Sequence, residues 1–248
     1  MTEFRPEMEQ MLFQLPLAGS AFKKTYYDPN YQRAVSAFVP AEDFVVAYGT
    51  TELESCARYT HVMRLYPNEV KRFQASGFYL DVDLPEPSPE YSEIQKKKDD
   101  LSGASRPSVE YDDRHTLLEI HADLDLKGFE DTDDNGEETG IALPYIVTIE
   151  RQSKQVLSIR KNWDEEDPLK RRKSYFTHYK YLPGLGFYGS GLTHLIGGIA
   201  KSSTSILRQL IDAGTLSNLP GGLKSRGLRI KGDDTPIMPK KFKNINIP

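Results

Sequence analysis

The sequence has 248 residues, of which 38% are hydrophobic and 10% aromatic, and its 32 basic and 36 acidic side chains give a net charge of −4. This length suits one large domain or two small ones, and the apolar content excludes a fully disordered chain. No apolar run reaches the roughly 18 residues of a membrane helix and no signal pattern opens the chain, so we expect a cytoplasmic protein without membrane contact. The single cysteine, Cys56, excludes an internal disulfide and a cysteine-based metal site.

The first 40 residues predict a helix and a hairpin. Apolar residues at three- and four-residue spacing predict a short amphipathic helix over about 4–17, which Pro16 is expected to end. A Pro/Asn turn at 28–30 joins two runs of β-branched and aromatic residues. These runs predict the hairpin strands 21–27 and 35–39.

Two more strands and a second helix precede a proline-rich stretch. Runs of β-branched and aromatic residues predict strands at 44–48 and 60–65. Pro67 stands at a favoured first helical position and Gly77 is a suitable stop, so a short helix is predicted between them. The stretch 81–110 combines charged residues with four prolines. We interpret it as a linker or an exposed excursion.

The clearest strand alternates apolar and polar residues over 118–125. This period of two is typical of an antiparallel sheet with one face in water. Leu118 and Ile120 are therefore predicted to face the core, and Glu119 and His121 to face solvent. Three further strands are predicted, at 145–150, 155–160 and 175–181.

Towards the C-terminus the pattern changes from strand to helix. A glycine-rich segment, 183–191, leads into an apolar stripe at helical spacing over 194–213, with small residues beside it that permit close packing. The residues after Gly214, rich in Gly, Pro, Lys and Arg, are predicted to form extended strands and turns. The whole pattern predicts an α+β fold, in which antiparallel sheets and hairpins with short helices are joined to one long helix near the C-terminus.

The same pattern divides the chain into five segments. They are 1–80 with helix and antiparallel strands, 81–115 as an acidic, proline-rich excursion or linker, 116–182 as an antiparallel meander, 183–214 with a glycine-rich hinge and the long helix, and 215–248 as a basic extended tail. Charge differs sharply along the chain, because residues 81–150 carry a net charge of −14 and residues 151–248 a net charge of +11. Such asymmetry fits nucleic-acid contact by the basic half, and it also fits an ordinary solvated surface.

The segment 184–189 has the glycine spacing of the dinucleotide-binding fingerprint, but its context differs. That fingerprint opens a βαβ unit with an acidic residue about 20 positions on. Here the sheet precedes the motif and a basic tail follows the helix. We therefore interpret the glycines as permitting a sharp turn and close packing. The candidate hinge residues are Pro183, Gly184, Gly186, Gly189 and Gly191.

Other candidate sites are equally incomplete. Residues 131–136 imitate the first half of a calcium loop, but its twelfth position is Ala142 where a bidentate Glu is needed. The five histidines lack metal-ligand spacing, and no nucleophile arrangement is present. We predict no catalytic, cofactor-binding or metal site. The candidates for contact with DNA or another subunit are Lys170, Arg171, Arg172, Lys173, Lys224, Arg226, Arg229 and Lys231.

Seven blocks of sequence carry a family resemblance. They are 10–13, 17–24, 39–44, 58–63, 181–189, 207–216 and 227–231. In their order and spacing these blocks resemble the portal protein of short-tailed, podovirus-type bacteriophages over nearly the whole chain. Members of that family are longer at both ends, so we expect the chain to be an internal fragment of such a protein.

The resemblance implies a ring, usually of twelve copies, at one vertex of the capsid in the virion, assembled in the cytoplasm of the host bacterium. Double-stranded DNA passes its channel without sequence specificity during packaging and ejection. The implied partners are the packaging terminase and the capsid, scaffold and tail adaptor proteins. The ring itself is no motor and no enzyme. A ring-interior or stem helix would contain Leu195, Ile199, Ser202, Ser205, Ile206 and Leu210.

Two alternatives stay open at this point. One is another ring-forming head–tail adaptor or tail protein, and the other is a nucleic-acid-processing enzyme with a basic substrate face. A closed ring needs two different complementary patches on each subunit. The opposite charges of the two halves of the chain could supply them.

Overall fold

The structure is a computed structural model that describes residues 4–28, 32–87, 93–103, 114–132, 137–218, 222–225 and 242–245. Within these residues the helices are α1 (Phe4–Ala18), α2 (Pro67–Ala75), α3 (Glu93–Ser102) and α4 (Leu192–Asn218). The strands are β1 (Ser20–Asp28), β2 (Arg33–Pro40), β3 (Phe44–Val46), β4 (Arg58–Leu65), β5 (His115–Leu124), β6 (Leu143–Glu150), β7 (Val156–Lys161), β8 (Phe176–Lys180), β9 (Gly222–Ser225) and β10 (Phe242–Ile245). The chain forms two compact units, residues 1–191 and 192–248.

The first unit contains two antiparallel sheets. Strands β2, β1 and β8 form a three-stranded sheet in that order, and β3 to β7 form a five-stranded meander in sequence order. The second unit contains α4 and a parallel pair of β9 and β10. The predicted α+β class, with antiparallel sheets and one long helix near the C-terminus, is confirmed. Because each sheet takes strands from both 1–80 and 116–182, these two segments fold together.

Helix α1 differs from the prediction at its end. Pro16 was expected to end the helix, but α1 continues to Ala18. The end is set by Gly19, whose φ of +87° is a left-handed conformation and whose N–H donates to the carbonyl of Leu15. The helix therefore stops within one residue of β1.

The two sheets pack face to face on an aromatic core. Phe22 of β1 stacks on Phe44 of β3, with ring centroids 4.1 Å apart, and Phe176 of β8 lies 5.0 Å from Phe44. Tyr59 of β4 joins the same cluster from the five-stranded sheet. The contacts cross from sheet to sheet, so these aromatic side chains hold the layers together.

The orientation of β5 corrects the sequence prediction. The alternation is present, but Glu119 and His121 face the three-stranded sheet and are 4% and 0% exposed, whereas Leu118 and Ile120 lie on the other face and are half-buried. A period of two shows that successive side chains point to opposite faces and does not show which face is covered. Here the polar face is covered, and its charges are paired.

The other predicted elements fall close to their expected places. The second helix begins at Pro67 as predicted, and Gly77, with a φ of +76°, follows its end. The strand predicted at 44–48 is shorter, and the helix predicted over 194–213 is longer, because α4 spans Leu192–Asn218. The predicted turn at 28–30 and the calcium-like loop at 131–136 lie partly outside the described residues.

Candidate functional site: the glycine-rich segment and helix α4

The glycine-rich segment 183–191 is fixed to the start of the three-stranded sheet. The N–H of Gly189 donates to Ser20 Oγ at 2.7 Å, and the N–H of Ser190 donates to the carbonyl of Leu182 at 2.8 Å. Phe187 is buried in the aromatic core, and the Tyr188 hydroxyl donates to the carbonyl of Phe44 at 2.7 Å. These contacts tie the segment to both sheets.

Three of the four predicted glycines are needed for close packing. A Cβ on Gly184 would overlap with the carbonyl oxygen of Tyr188, one on Gly189 with that of Gly19, and one on Gly191 with that of Leu17. None of these glycines has a positive φ, so close backbone approach excludes a larger side chain. A Cβ on Gly186 would meet nothing within 4 Å, and this glycine carries no packing constraint. The segment is closely packed in the structure, and its role as a hinge stays a prediction.

Helix α4 begins directly after Gly191 and is amphipathic between Leu195 and Ile211. Its polar face carries Lys201, Arg208 and Asp212. The apolar stripe continues through both halves of the helix, and it includes the predicted Leu195, Ile199, Ile206 and Leu210 together with Ile196, Leu207 and Ile211. All seven of these side chains are more than half exposed. Exposed apolar surface of this extent is typical of interaction surfaces in proteins.

The two predicted serines of α4 differ from the apolar set in position. At 100° per residue, Ser202 borders the apolar stripe and Ser205 lies on the polar face. The hydroxyl of Thr204, between them in sequence, donates to the carbonyl of Ala200 at 2.8 Å. Ser202 therefore lies beside the apolar stripe and Ser205 away from it.

The basic run 170–173 is paired within its own unit. Lys170 forms an ion pair with Asp131, Arg171 with Asp167 at 2.9 Å, and Lys173 with Asp164 at 3.4 Å.

Arg172 uses its guanidinium differently, because it donates to the carbonyls of Glu54 and Cys56 at 3.2 and 2.7 Å. The four side chains are therefore largely engaged in holding loops together. The backbone of Lys224 lies in β9, and Arg226, Arg229 and Lys231 lie outside the described residues.

Sequence reasoning missed a buried ionic network between the two sheets. Lys24 Nζ of β1 lies 2.6 Å from Glu119 Oε2 of β5, and His121 Nε2 donates to Glu119 Oε1 at 2.9 Å. His61 of β4 stands directly opposite Glu119 in the sheet. The alternation of residues in β5 is the same whether its polar face is buried or in water. Only the packing of the second sheet could therefore reveal this network.

Burial sets the ionisation of this network. It would raise the pKa of Glu119 if it acted alone, but the hydrogen bond from His121 and the charge of Lys24 outweigh it and hold that pKa well below its usual range. Burial lowers the pKa of His121, and burial followed by the charge of Lys24 lowers that of His61 to about 4. At neutral pH the network therefore consists of one ion pair and neutral imidazoles.

The surface clefts lie elsewhere. Clefts of about 640, 520 and 270 Å³ are lined by residues other than Lys24, Glu119 and His121. Nowhere in the part of the chain that the structure describes do three or more His, Cys, Asp or Glu side chains cluster as metal ligands would. The helices within the described ranges also include none that is long and apolar enough to cross a membrane.

Comparison of the chain with models of known protein families gives no match, and comparison with curated proteins gives none either.

Proposed function

We propose that this chain is part of a portal protein of a podovirus-type bacteriophage, the subunit of a ring at the capsid vertex through which DNA is packaged and ejected. The observation that carries the proposal is the exposed apolar stripe of α4. Such a subunit is completed by its neighbours, because an apolar surface of this size is stable only when another molecule covers it.

The positions of the family-like blocks support the proposal. Block 17–24 contains Gly19 and Phe22, block 39–44 contains Phe44, and block 181–189 contains Gly189. These residues meet at one corner, where Phe22 stacks on Phe44 and Gly189 approaches the backbone of Gly19. Contacts between blocks that are distant in sequence are expected if these blocks belong to one shared fold.

In this function the protein supplies a passive channel. A channel must not bind DNA tightly, because each phosphate that a Lys or Arg neutralises adds salt-sensitive affinity. The pairing of Lys170, Arg171 and Lys173 with carboxylates fits this need. The proposed partners are further copies of the chain, the packaging terminase, the capsid, scaffold and tail adaptor proteins, and double-stranded DNA. The proposed location is the virion.

Native mass spectrometry and negative-stain imaging of the full-length parent protein test the proposal. We expect a ring of about twelve copies with a hole wide enough for duplex DNA, located in the capsid fraction of virions. A ring found only in the tail fraction would favour an adaptor or tail protein. A monomer with metal-dependent nuclease activity would overturn the proposal in favour of a nucleic-acid-processing enzyme.

A further inference from the structure

Two histidines of the five-stranded sheet lie in its packing against the three-stranded sheet. His61 of β4 makes an edge contact with Phe176 of β8, with ring centroids 5.4 Å apart. His121 of β5 stacks on Tyr59 at 4.7 Å and makes an edge contact with Phe176 at 5.5 Å. Both imidazoles therefore lie against the aromatic core that joins the two sheets.

A third histidine enters this packing from the three-stranded sheet. His178 of β8 stacks on Phe22 at 4.4 Å and on Phe187 at 4.6 Å, and both of these rings belong to the same aromatic core. Its Nε2 is hydrogen-bonded with Ser20 Oγ at 3.1 Å, and the same oxygen accepts the N–H of Gly189. His178 thus connects the core to the glycine-rich segment.

A cation acts on each of the three imidazoles. These cations come from different elements of the first unit, and each disfavours a second positive charge on the ring that it faces. Phenol rings also contact His121, but phenols carry no charge in acid. The cations are Lys24, which acts on His61 and His121, Arg172, which acts on His121, and Lys180, which acts on His178.

Two carboxylates act in the opposite direction, and each of them already has a partner. They are Glu119, which acts on His61 and His121, and Asp43, which acts on His61. Glu119 is paired with Lys24 at 2.6 Å, and Asp43 is paired with Arg64 at 2.9 Å. Protonation of the imidazoles would therefore place new positive charges in an interface whose carboxylates are already neutralised.

Burial keeps the three imidazoles neutral in the packed state. Burial and then the charge of Lys24 lower the pKa of His61 to about 4, and burial and then the charge of Lys180 lower that of His178 to about 4. Burial also lowers the pKa of His121. In water each ring regains its ordinary pKa of about 6.5. Below this pH a separated state binds protons that the packed state excludes, so separation becomes more favourable as the pH falls towards 4.

Acid acts in this way on one of the apolar clusters of the first unit. The five-stranded sheet has two further clusters, one around Leu117 and Leu157 and the other around Tyr145 and Trp163. Among the described residues, neither of these clusters contains a histidine. The five-stranded sheet therefore has apolar cores of its own that do not depend on the three imidazoles.

We propose that His61, His121 and His178 form an acid-sensitive switch in the packing between the two sheets. Proton uptake by these rings releases the three-stranded sheet and the glycine-rich segment from the five-stranded sheet, which keeps its own strand pairing. The switch lies within the first unit of a single chain, so it does not depend on the assembly of a ring. It supplies a condition under which the closely packed segment 183–191 becomes free to move.

Hydrogen–deuterium exchange of the full chain between about pH 7 and about pH 4.5, corrected for the intrinsic pH dependence of exchange, tests the switch. Peptides that cover 20–28 and 176–190 report on the released part, and peptides that cover 143–150 report on the five-stranded sheet. We expect the opening equilibrium constant of the first set to rise by more than about tenfold per pH unit below pH 6, because more than one proton is bound. For the second set we expect a change of less than about threefold.

Variants without the titrating rings test the cause. The double variant His61→Phe with His178→Phe keeps aromatic rings at both positions, and it should lower the rise by at least about tenfold per pH unit. His178→Gln is a second variant that cannot take up a proton but keeps an N–H for Ser20 Oγ, and it should lower the rise in the same direction. The matched control is His194→Gln, at an exposed position of α4, which should follow the wild type.

Three outcomes would overturn the switch. Equal loss of protection in both peptide sets at one pH would show general acid unfolding, to which His115, a buried histidine outside the aromatic core, can contribute. An unchanged rise in the double variant and in His178→Gln would show that other groups take up the protons. Full protection of 176–190 down to about pH 4.5 would show that the packing tolerates charged imidazoles.

Discussion

Glu119 connects the two sheets through charge and through hydrogen bonds. Its side chain is 5% exposed, it accepts a hydrogen bond from His121, and its ion pair with Lys24 reaches from β5 to β1. A buried ion pair of this kind adds little net stability, because both charges have lost their water. Removal of one partner is costly, since it leaves the other charge buried and alone.

The first prediction is that Glu119→Gln lowers the free energy of unfolding by about 3 kcal/mol, because Lys24 is left without a counter-charge. Urea denaturation at pH 7 measures the loss. The matched control is Glu9→Gln, which removes the exposed Arg5–Glu9 pair and should cost less than about 1 kcal/mol. Adding Lys24→Met to Glu119→Gln should recover much of the loss. Equal effects of Glu119→Gln and Glu9→Gln would show that burial does not make the loss of this counter-charge costly.

The second prediction concerns acid. The folded protein keeps His61 neutral because burial, and then the charge of Lys24, lower its pKa to about 4 from an ordinary value of 6.5. The unfolded chain binds that proton below pH 6.5, so stability is complete above this pH and falls as the pH drops towards 4. The charges of Glu119 and Asp43 raise the pKa of this imidazole and that of His121 lowers it, and the pKa of about 4 is the net result.

The variant His61→Phe should flatten that decline by up to about 1.4 kcal/mol per pH unit, the contribution of one proton. Urea midpoints at several pH values from 7 to about 4 give the two slopes. The aromatic ring keeps the edge contact with Phe176 that the imidazole makes. Parallel slopes for variant and wild type would mean that His61 does not contribute to acid unfolding.

At the scale of elements, α1, β1 and the glycine-rich segment meet at one closely packed junction within the first unit. Gly19 ends α1, and the backbone of Gly189 and Gly191 packs against the same corner. The constraint is steric, since a Cβ on Gly189 would overlap with the carbonyl oxygens of Gly19 and Leu182. Any side chain at position 189 would have to displace this backbone.

The third prediction is therefore that Gly189→Val lowers the free energy of unfolding by about 2 kcal/mol or more and impairs assembly or packaging. The matched control is Gly186→Val, because a Cβ there meets nothing within 4 Å. Thermal denaturation and phage yield are the two measurements. Normal yield and stability with Gly189→Val would contradict the role of this junction.

Sequence patterns predicted the positions of helices and strands better than the contacts between them. The strands β4 to β7 and the start of α2 follow from local signals, namely alternation, turn residues and Pro67. Local signals do not say that β8 pairs with β1, about 155 residues away, or that Glu119 is covered. These facts depend on contacts between distant segments. The same limit applies to segment 183–191. Its glycines stand out in the sequence, but the sequence does not show that a Cβ has room at Gly186 and overlaps with backbone at Gly189.

At the scale of the whole molecule, the opposite charges of the two halves are partly satisfied inside the first unit. Asp131, from the acidic stretch, pairs with Lys170 of the basic run, and Arg171 and Lys173 pair with nearby acids. Charged side chains that are paired within a subunit contribute less to attraction between subunits. The apolar side chains of the α4 stripe are in contrast more than half exposed, so we expect apolar contact, more than charge, to hold copies together.

Salt separates these two sources of assembly. Attraction between charged surfaces weakens as the Debye length falls from about 10 Å at 0.1 M salt to a few Å near 1 M, whereas apolar association does not. We therefore expect the self-association constant of the full-length parent, measured by sedimentation velocity, to change less than about threefold between roughly 0.1 and 0.5 M NaCl. The variant Ile206→Asp, which places a charge in the apolar stripe of α4, should assemble more weakly than the wild type at both salt concentrations. A loss of more than tenfold in the wild type at the higher salt would instead assign the ring contacts to the −14 and +11 halves of the chain, as the charge pattern alone suggests.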